Sequence, residues 1–256
     1  MIRIRSLRQI AWVMGVLCLS LPAQGDALPE RLQELFDQGW ALESRMHEDI
    51  ANLDRAIQLY EEAVSLAPDN AEAHFRLAEV IFKRSEETKD PDKRKEMVEK
   101  SISLAEKALV LKPDCVGGLY WAGTGYARLA EMSGIFSAAK QVKLAKNYLY
   151  RAMETDPNHR FAILAGVILS AIYAEAPWPL KDMDKALDLA LVSVKKDPHL
   201  TIAALRLGKV YLAMGKKELA TTQLKRCLEI KPPTYVWDAV LYDWPEARKM
   251  LKEMGQ

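Results

Sequence analysis

Five times along the chain a helix-breaking proline follows a stretch of small and apolar residues: LAPD, LKPD, TDPN, KDPH and IKPP, with the prolines at Pro68, Pro113, Pro157, Pro198 and Pro232. The intervals between them are 45, 44, 41 and 34 residues. A fixed period in this range means that one short supersecondary unit is stacked on copies of itself, each burying a face that it cannot cover alone. Proline cannot continue a helix, so each stop closes a unit.

The last unit is the most regular. From Thr201 to Thr234 it places Leu207, Gly208, Tyr211, Ala220, Leu224, Cys227 and Pro232 at positions 7, 8, 11, 20, 24, 27 and 32 of a 34-residue frame. This resembles the tetratricopeptide repeat, in which small residues at 8, 20 and 27 let two antiparallel helices approach closely. Counting back from the other stops finds Trp40, Ala56, Tyr60 and Ala63; Leu77, Ala78, Ser101, Ala105 and Ala108; Gly123, Tyr126, Ala145, Leu149 and Ala152; and Ala186, Ala190 and Ser193 at equivalent places. The expected fold is all-α, a tetratricopeptide-repeat-like α-solenoid of about five helical hairpins with a C-terminal capping helix. The repeats span about 37–70, 71–115, 116–159, 160–200 and 201–234, and the cap 235–256, all within one domain from 26 to 256.

Three intervals exceed the standard repeat, by 11, 10 and 7 residues, and the excess falls between the two helices of a pair. Insertions recurring at one place in a solenoid project from one edge, so Trp178, between Pro177 and Pro179, is expected on a partner-binding edge. The alternative is that the extra residues lengthen helices or loops.

The first helix of the fourth unit, FAILAGVILSAIYA (161–174), is apolar on every face and must be covered on all sides. At 14 residues it is shorter than the roughly 20 that a bilayer span needs, and it is bounded by Asp156, His159, Arg160 and Glu175. It is therefore expected to be a core helix. In tetratricopeptide superhelices positions 2, 5, 9, 12 and 13 of the first helices line the concave face. Those positions are mostly polar in the first unit (Gln38, Ala41, Arg45, Glu48, Asp49), apolar in the fourth and, Lys209 apart, apolar in the fifth. The expected ligand groove is Tyr120, Trp121, Arg128, Phe161, Leu164, Ile168, Leu205 and Leu212. Tyr235, Trp237, Tyr242 and Trp244 are expected to cap the fifth repeat, and a short helix to start near Pro245.

Nothing in the chain composes an enzyme's site. His47, His74, His159 and His199 lie in different units with no i,i+4 pairing, so no metal site is expected, and no cofactor motif is present. The glycines of CVGGLYWAGTGYAR fall inside a helix, where they permit close packing, not at a strand-to-helix phosphate loop. Cys115 and Cys227, 112 residues apart, are expected as free thiols.

Residues 1–25 read as an export signal: Arg3, Arg5 and Arg8, then an apolar run from Ile10 to Leu21, then Ala23-Gln24-Gly25, with cleavage expected before Asp26. Cys18 follows Leu17, a poor context for lipidation, so a soluble periplasmic protein is expected, with an uncleaved N-terminal anchor the weaker alternative. Without the three signal arginines the 36 basic residues become 33 against 35 acidic ones, a balance that steers neither nucleic acid nor an anionic surface.

The third unit, with the Trp121, Gly123, Arg128, Gly134 group, followed by the apolar helix, Ala-Pro-Trp-Pro and KALDLALVSVKKDP, resembles the T-component (TatT) family of TRAP transporter systems over roughly Ala71–Lys252. That resemblance implies an extracytoplasmic helical-repeat protein acting with a substrate-binding protein on a small apolar or organic-acid ligand. The same middle segment also resembles the microtubule-dynamics regulator family in repeat layout. The function expected is thus a periplasmic repeat-built binding protein; the alternative is a cell-envelope scaffold for protein contacts with no small ligand. Self-association is left open.

Overall fold

A computed structural model describes residues 24–176 and 181–255. The signal-like stretch ahead of Gln24 and residues 177–180, Trp178 among them, lie outside the described residues. The chain folds as five consecutive helix pairs: α1 (Gln24–Glu43) with α2 (Ala51–Leu66), α3 (Ala71–Glu86) with α4 (Pro91–Leu111), α5 (Val116–Glu131) with α6 (Ile135–Thr155), α7 (Arg160–Glu175) with α8 (Met183–Lys196), and α9 (Thr201–Ala213) with α10 (Lys217–Glu229). Among the described residues there is no strand, and the all-α solenoid expected from the repeat pattern is what forms.

Local chemistry explains the boundaries. Each stop proline lies two or three residues beyond the end of α2, α4, α6, α8 or α10, where the chain turns toward the next pair. Asn70 caps α3 by accepting from the Ala73 amide at 2.9 Å, and Asp182 caps α8 through the Lys185 amide at 2.9 Å. Asp90 accepts from the amides of Asp92 and Lys93, with Pro91 as the first residue of α4.

Small residues set the spacing within pairs. Ala56, Ala63, Ala105, Ala145, Ala152, Ala186 and Ala220 are fully buried. At Gly123 a Cβ would stand 2.7 Å from Leu149 Cγ and 3.2 Å from the Ala145 carbonyl oxygen, so α5 and α6 touch almost backbone to backbone. These glycines serve packing.

The surplus residues of the second and third units do not project. They extend α4 and α6 to 21 residues each, against 13 in α9 and α10; α4 starts directly after a short turn, at the Asp90–Pro91 cap. For those two units the expectation of a protruding edge gives way to its alternative, longer helices.

The first helices contact one another in series, α1 on α3, α3 on α5, α5 on α7 and α7 on α9, and form the inner row of the superhelix. Within that row α7 is covered by α5, α6, α8 and α9. Phe161, Ala162, Ala165, Val167, Leu169 and Tyr173 are all buried, and the Ser170 hydroxyl, the polar atom that this burial must satisfy, donates to the Ala186 carbonyl at 2.7 Å. No helix among the described residues is long and apolar enough to cross a membrane. Cys115 and Cys227 are buried and unpaired.

Candidate functional site

The C-terminal segment does more than shield the fifth repeat. Thr234 fastens its start, the amide donating to the His199 carbonyl at 3.0 Å and the hydroxyl to Asp197 at 2.8 Å. From there α11 (Val236–Asp238), a π-helical turn (Ala239–Asp243) and α12 (Trp244–Glu253) follow without a break. Helix α12 packs on α10, with Ala247, Met250 and Leu251 against Leu224 and Cys227 and the Trp244 indole donating to the Cys227 carbonyl at 2.9 Å.

The segment before it crosses the concave face to the other end of the superhelix. Trp237 meets Trp40 of α1 edge to face at 5.4 Å and packs on Tyr235 at 5.1 Å, and the Tyr242 hydroxyl donates to Glu87 at the end of α3. Tyr235 and Trp237 share one core with Leu35, Phe36, Met46 and Val167. The π turn arranges this. Asp238 and Tyr242, four residues apart, both face the concave side, while the next residue, Asp243, turns to α9 and accepts from Thr201 Oγ1 at 2.6 Å.

Between this strap and the inner row lies a cavity of about 200 Å³. Its walls are apolar and aromatic on the side of the repeats: Phe82, Tyr120, Trp121, Phe161, Leu164 and Ile168. Tyr120 stacks on Phe161 at 5.1 Å, and Trp121 stands edge-on to Tyr120 at 4.8 Å and tilted to Phe82 at 5.4 Å. Met46 comes from beyond α1, and Tyr235, Trp237, Asp238 and Tyr242 form the side given by the strap.

Charges line the same space in pairs. Lys83 sits between Glu43, at 2.5 Å, and Glu79, at 3.0 Å, and Arg160 reaches Glu79 at 3.5 Å while lying over the rings of Phe161 and Trp40 at 4.2 and 4.9 Å. Arg128 pairs with Glu86 and Glu131. The two carboxyls beside Lys83 shift in opposite directions. Burial pushes Glu43 up to about 7, and Lys83 offsets that only in part. Glu79 is buried as deeply, yet two cations, Lys83 and Arg160, outweigh the desolvation and hold it below the ordinary carboxylate value. Burial also works against the Lys83 ammonium, but its two carboxylates raise its pKa. Asp238, half-buried and in no ion pair among the described residues, is pushed up to about 6 by desolvation.

Five buried polar atoms on residues lining this one cavity find no hydrogen-bond partner among the described residues: Trp121 Nε1, Trp237 Nε1, Thr124 Oγ1, Arg128 Nε and Glu86 Oε1. The lining holds neither histidine nor cysteine. No group of three or more His, Cys, Asp or Glu side chains among the described residues could hold a metal ion. The cavity has room for a small molecule against its aromatic wall, and its lining sets no nucleophile against a base.

The structure brings six of the expected groove residues, Tyr120, Trp121, Arg128, Phe161, Leu164 and Ile168, to this cavity. Leu205 and Leu212 are elsewhere. Both pack in the cluster of Leu224, Cys227, Met250 and Leu251, because α12 lies over the inner face of the fifth repeat, where Lys209 pairs with Glu246. The first unit is also turned relative to the expected frame. Gln38, Ala41 and Arg45 line an open cleft with Arg55, Gln58 and Leu59 of α2, while Trp40 and Glu43 face the strap and Lys83. The repeat frame did not single out Glu43, Glu79, Lys83 or Asp238. Glu79 carried a signal, a lone carboxylate inside the apolar run LAEVIF, a position from which it must be paired when buried.

Comparison with known proteins follows the same lines. Residues 35–167, just over half of the chain, match the family model described as regulator of microtubule dynamics protein 1-3, and residues 203–234 match a tetratricopeptide-repeat model. No curated protein matches the chain. Among solved structures, TTC0263, described as a thermophilic TPR protein in Thermus thermophilus, superposes with a TM-score of 0.67 at 18% identity, over 86% of this chain and 99% of that one. The Pseudomonas aeruginosa protein pilF superposes with a TM-score of 0.59 at 15% identity, over 89% and 93%. At these identities the likeness is one of fold.

Proposed function

Because the chain belongs to the family described as regulator of microtubule dynamics protein 1-3 and is built of tetratricopeptide-type repeats, we propose that it is a binding protein, and that its concave face serves a small ligand inside a chamber closed by its own C-terminal segment. The observation that carries this reading is the strap, which runs from the fifth repeat to Trp40 and Glu87 and leaves a cavity of about 200 Å³ beneath it. An open groove receives an extended peptide; a groove already crossed by its own chain has room for something much smaller. From the family we carry over only the repeat layout.

We read the basic and apolar start of the chain, together with the resemblance to TRAP transporter T-components, as those of an exported protein that exchanges its ligand with a substrate-binding protein. A scaffold working through protein contacts alone is the competing reading, supported by the open cleft lined by Gln38, Arg45, Arg55 and Gln58 between the helices of the first pair.

Toluene is a suitable first probe, since an apolar cavity of about 150 Å³ accepts benzene. The protein should take it up in calorimetry or ligand-observed NMR. Leu164→Glu, which places a carboxylate in the chamber wall, should keep its helical circular dichroism and a cooperative melt and lose the uptake. If the unsubstituted protein binds no small probe at all, the chamber reading is abandoned and the scaffold reading stands.

A further inference from the structure

Away from the chamber, two lysines converge on a pair of tyrosines where α6, α7 and the start of α8 meet. The Tyr150 hydroxyl of α6 donates to the Tyr173 hydroxyl of α7 at 3.0 Å. Lys146, one turn before Tyr150, stands 4.3 Å from the centre of the Tyr173 ring. Lys185, in the first turn of α8, stands 4.9 Å from the same centre and 5.3 Å from that of Tyr150. None of the four residues lines the chamber. Their placement has local causes. Lys146 and Tyr150 are four residues apart and so share a face of α6. The Asp182 amide donates to the Tyr173 carbonyl at 3.0 Å and its carboxylate accepts from the Lys185 amide at 2.9 Å, which ties the first turn of α8 to the end of α7. The two rings pack with Met183 and Leu189. Lys185 is exposed and Lys146 half-buried, and the Tyr173 hydroxyl lies near the surface although its ring is buried.

The two positive charges have no counter-ion. Neither Lys146 nor Lys185 forms an ion pair among the described residues; Asp182 is engaged in capping α8, Glu175 pairs with Arg206 at 2.5 Å, and Asp184 and Asp188 of α8 stand beyond ion-pair distance of Lys185. Residues 177–180, Pro-Trp-Pro-Leu, contain no acid. The tyrosine pair registers this imbalance. Desolvation opposes ionisation of Tyr173, but the hydrogen bond from Tyr150 and the two ammoniums outweigh it and hold the phenol below the ordinary tyrosine value. The other shifted tyrosines, Tyr60 and Tyr120 among them, are pushed up by burial.

From two unpaired ammoniums converging on one phenol pair near the surface, we propose that this cluster is an oxyanion site that takes a tetrahedral dianion, a phosphate or sulfate group. The ammoniums supply the charge. Tyr173 accepts from Tyr150 and so keeps its own hydroxyl proton free to donate to the bound oxygen. Two cations are balanced by one dianion, whereas a carboxylate leaves one of them unanswered. The site stands independently of the chamber and of what the chamber holds.

Tyrosinate absorbance, followed from about pH 8 to 11, locates binding at this site. In chloride alone the earliest step should belong to Tyr173 and be missing in Tyr173→Phe. Inorganic phosphate or sulfate at matched ionic strength should move that step to higher pH, because a bound dianion occupies the ammoniums and opposes a second negative charge beside it. Calorimetry at pH 7.5 should give half-saturation at or below about 1 mM for phosphate, with acetate at least about tenfold weaker. Lys146→Gln and Lys185→Gln, made separately so that the test does not hang on one variant folding, should each weaken phosphate by at least about tenfold. Glycerol phosphate binding as well as phosphate identifies the phosphoryl end of a larger molecule; phosphate binding without it identifies the free ion. Lysines that serve only to cover the tyrosine rings would alter the Tyr173 step when replaced and leave it blind to phosphate. A phosphate effect no larger than that of chloride overturns the proposal, as does phosphate binding that neither lysine variant weakens.

Discussion

Asp243→Asn should make the protein more stable at pH 8 and slightly less stable at pH 4. Asp243 is 1% exposed and accepts from Thr201 Oγ1 at 2.6 Å, and desolvation, against which Thr201 and Lys209 act only in part, pushes its carboxyl from 3.8 to about 7. Because folding raises this pKa, the folded chain holds the proton more tightly than the unfolded one. The stability it contributes is fully present below 3.8 and is lost as the pH climbs through about 7. At 1.36 kcal/mol per pH unit that loss is on the order of 4 kcal/mol. Asparagine keeps the acceptor for Thr201 and cannot ionise, but its amide brings an extra N–H donor into a buried site, at about 1 kcal/mol. The expected difference is therefore a gain of about 3 kcal/mol at pH 8 that falls through zero and reverses near pH 4. Urea denaturation of both proteins across that range reads it directly, since a shift in midpoint at constant slope is a change in stability. A difference that stays the same at every pH refutes the account of Asp243 as a carboxyl buried at the expense of its charge.

Two further substitutions probe the scaffold. Gly123→Ala puts a Cβ at 2.7 Å from Leu149 Cγ and 3.2 Å from the Ala145 carbonyl oxygen; a loss of about 1–3 kcal/mol in urea denaturation is expected, and no measurable loss would mean that α5 and α6 can part freely. Lys83→Met leaves Glu43 and Glu79 facing each other without their shared cation; it should cost about 3–5 kcal/mol at pH 8, and less at pH 5, where Glu43, with a pKa of about 7, is already protonated. An equal cost at both values would show that Glu43 does not carry the proton.

The helix pairs were legible because their determinants are local. Pro113 ends α4 and Asn70 begins α3 through contacts within a few residues of chain, and Gly123 announces a close approach whichever helix lies opposite. Five of the six groove residues, all but Trp121, could be placed from repeat positions for the same reason. The strap could not. Trp237 and Trp40 are nearly 200 residues apart, and their meeting depends on the curvature accumulated over five repeats, a quantity that no single repeat encodes. Tyr235, Trp237, Tyr242 and Trp244 read as one capping patch, but the π turn divides them, sending Tyr242 to Glu87 and Trp244 to Cys227. Leu205 and Leu212 are apolar because α12 covers them, and apolar groove and apolar interface look alike in a sequence. The Glu43–Lys83–Glu79 cluster was hidden by the same distance in chain, except for Glu79 standing alone in its apolar run.

In a linear array of repeats each unit feels only its neighbours, and the two end units, with one neighbour apiece, fray first. Contact between Trp237 and Trp40 changes that boundary condition. With the strap bound to α1, the row acquires something close to a periodic boundary, and the first repeat has an interface on either side. Peeling α1 away then also exposes Tyr235 and Trp237, and releasing the strap uncovers Trp40, so the opposite ends of the chain rise and fall together in any opening fluctuation.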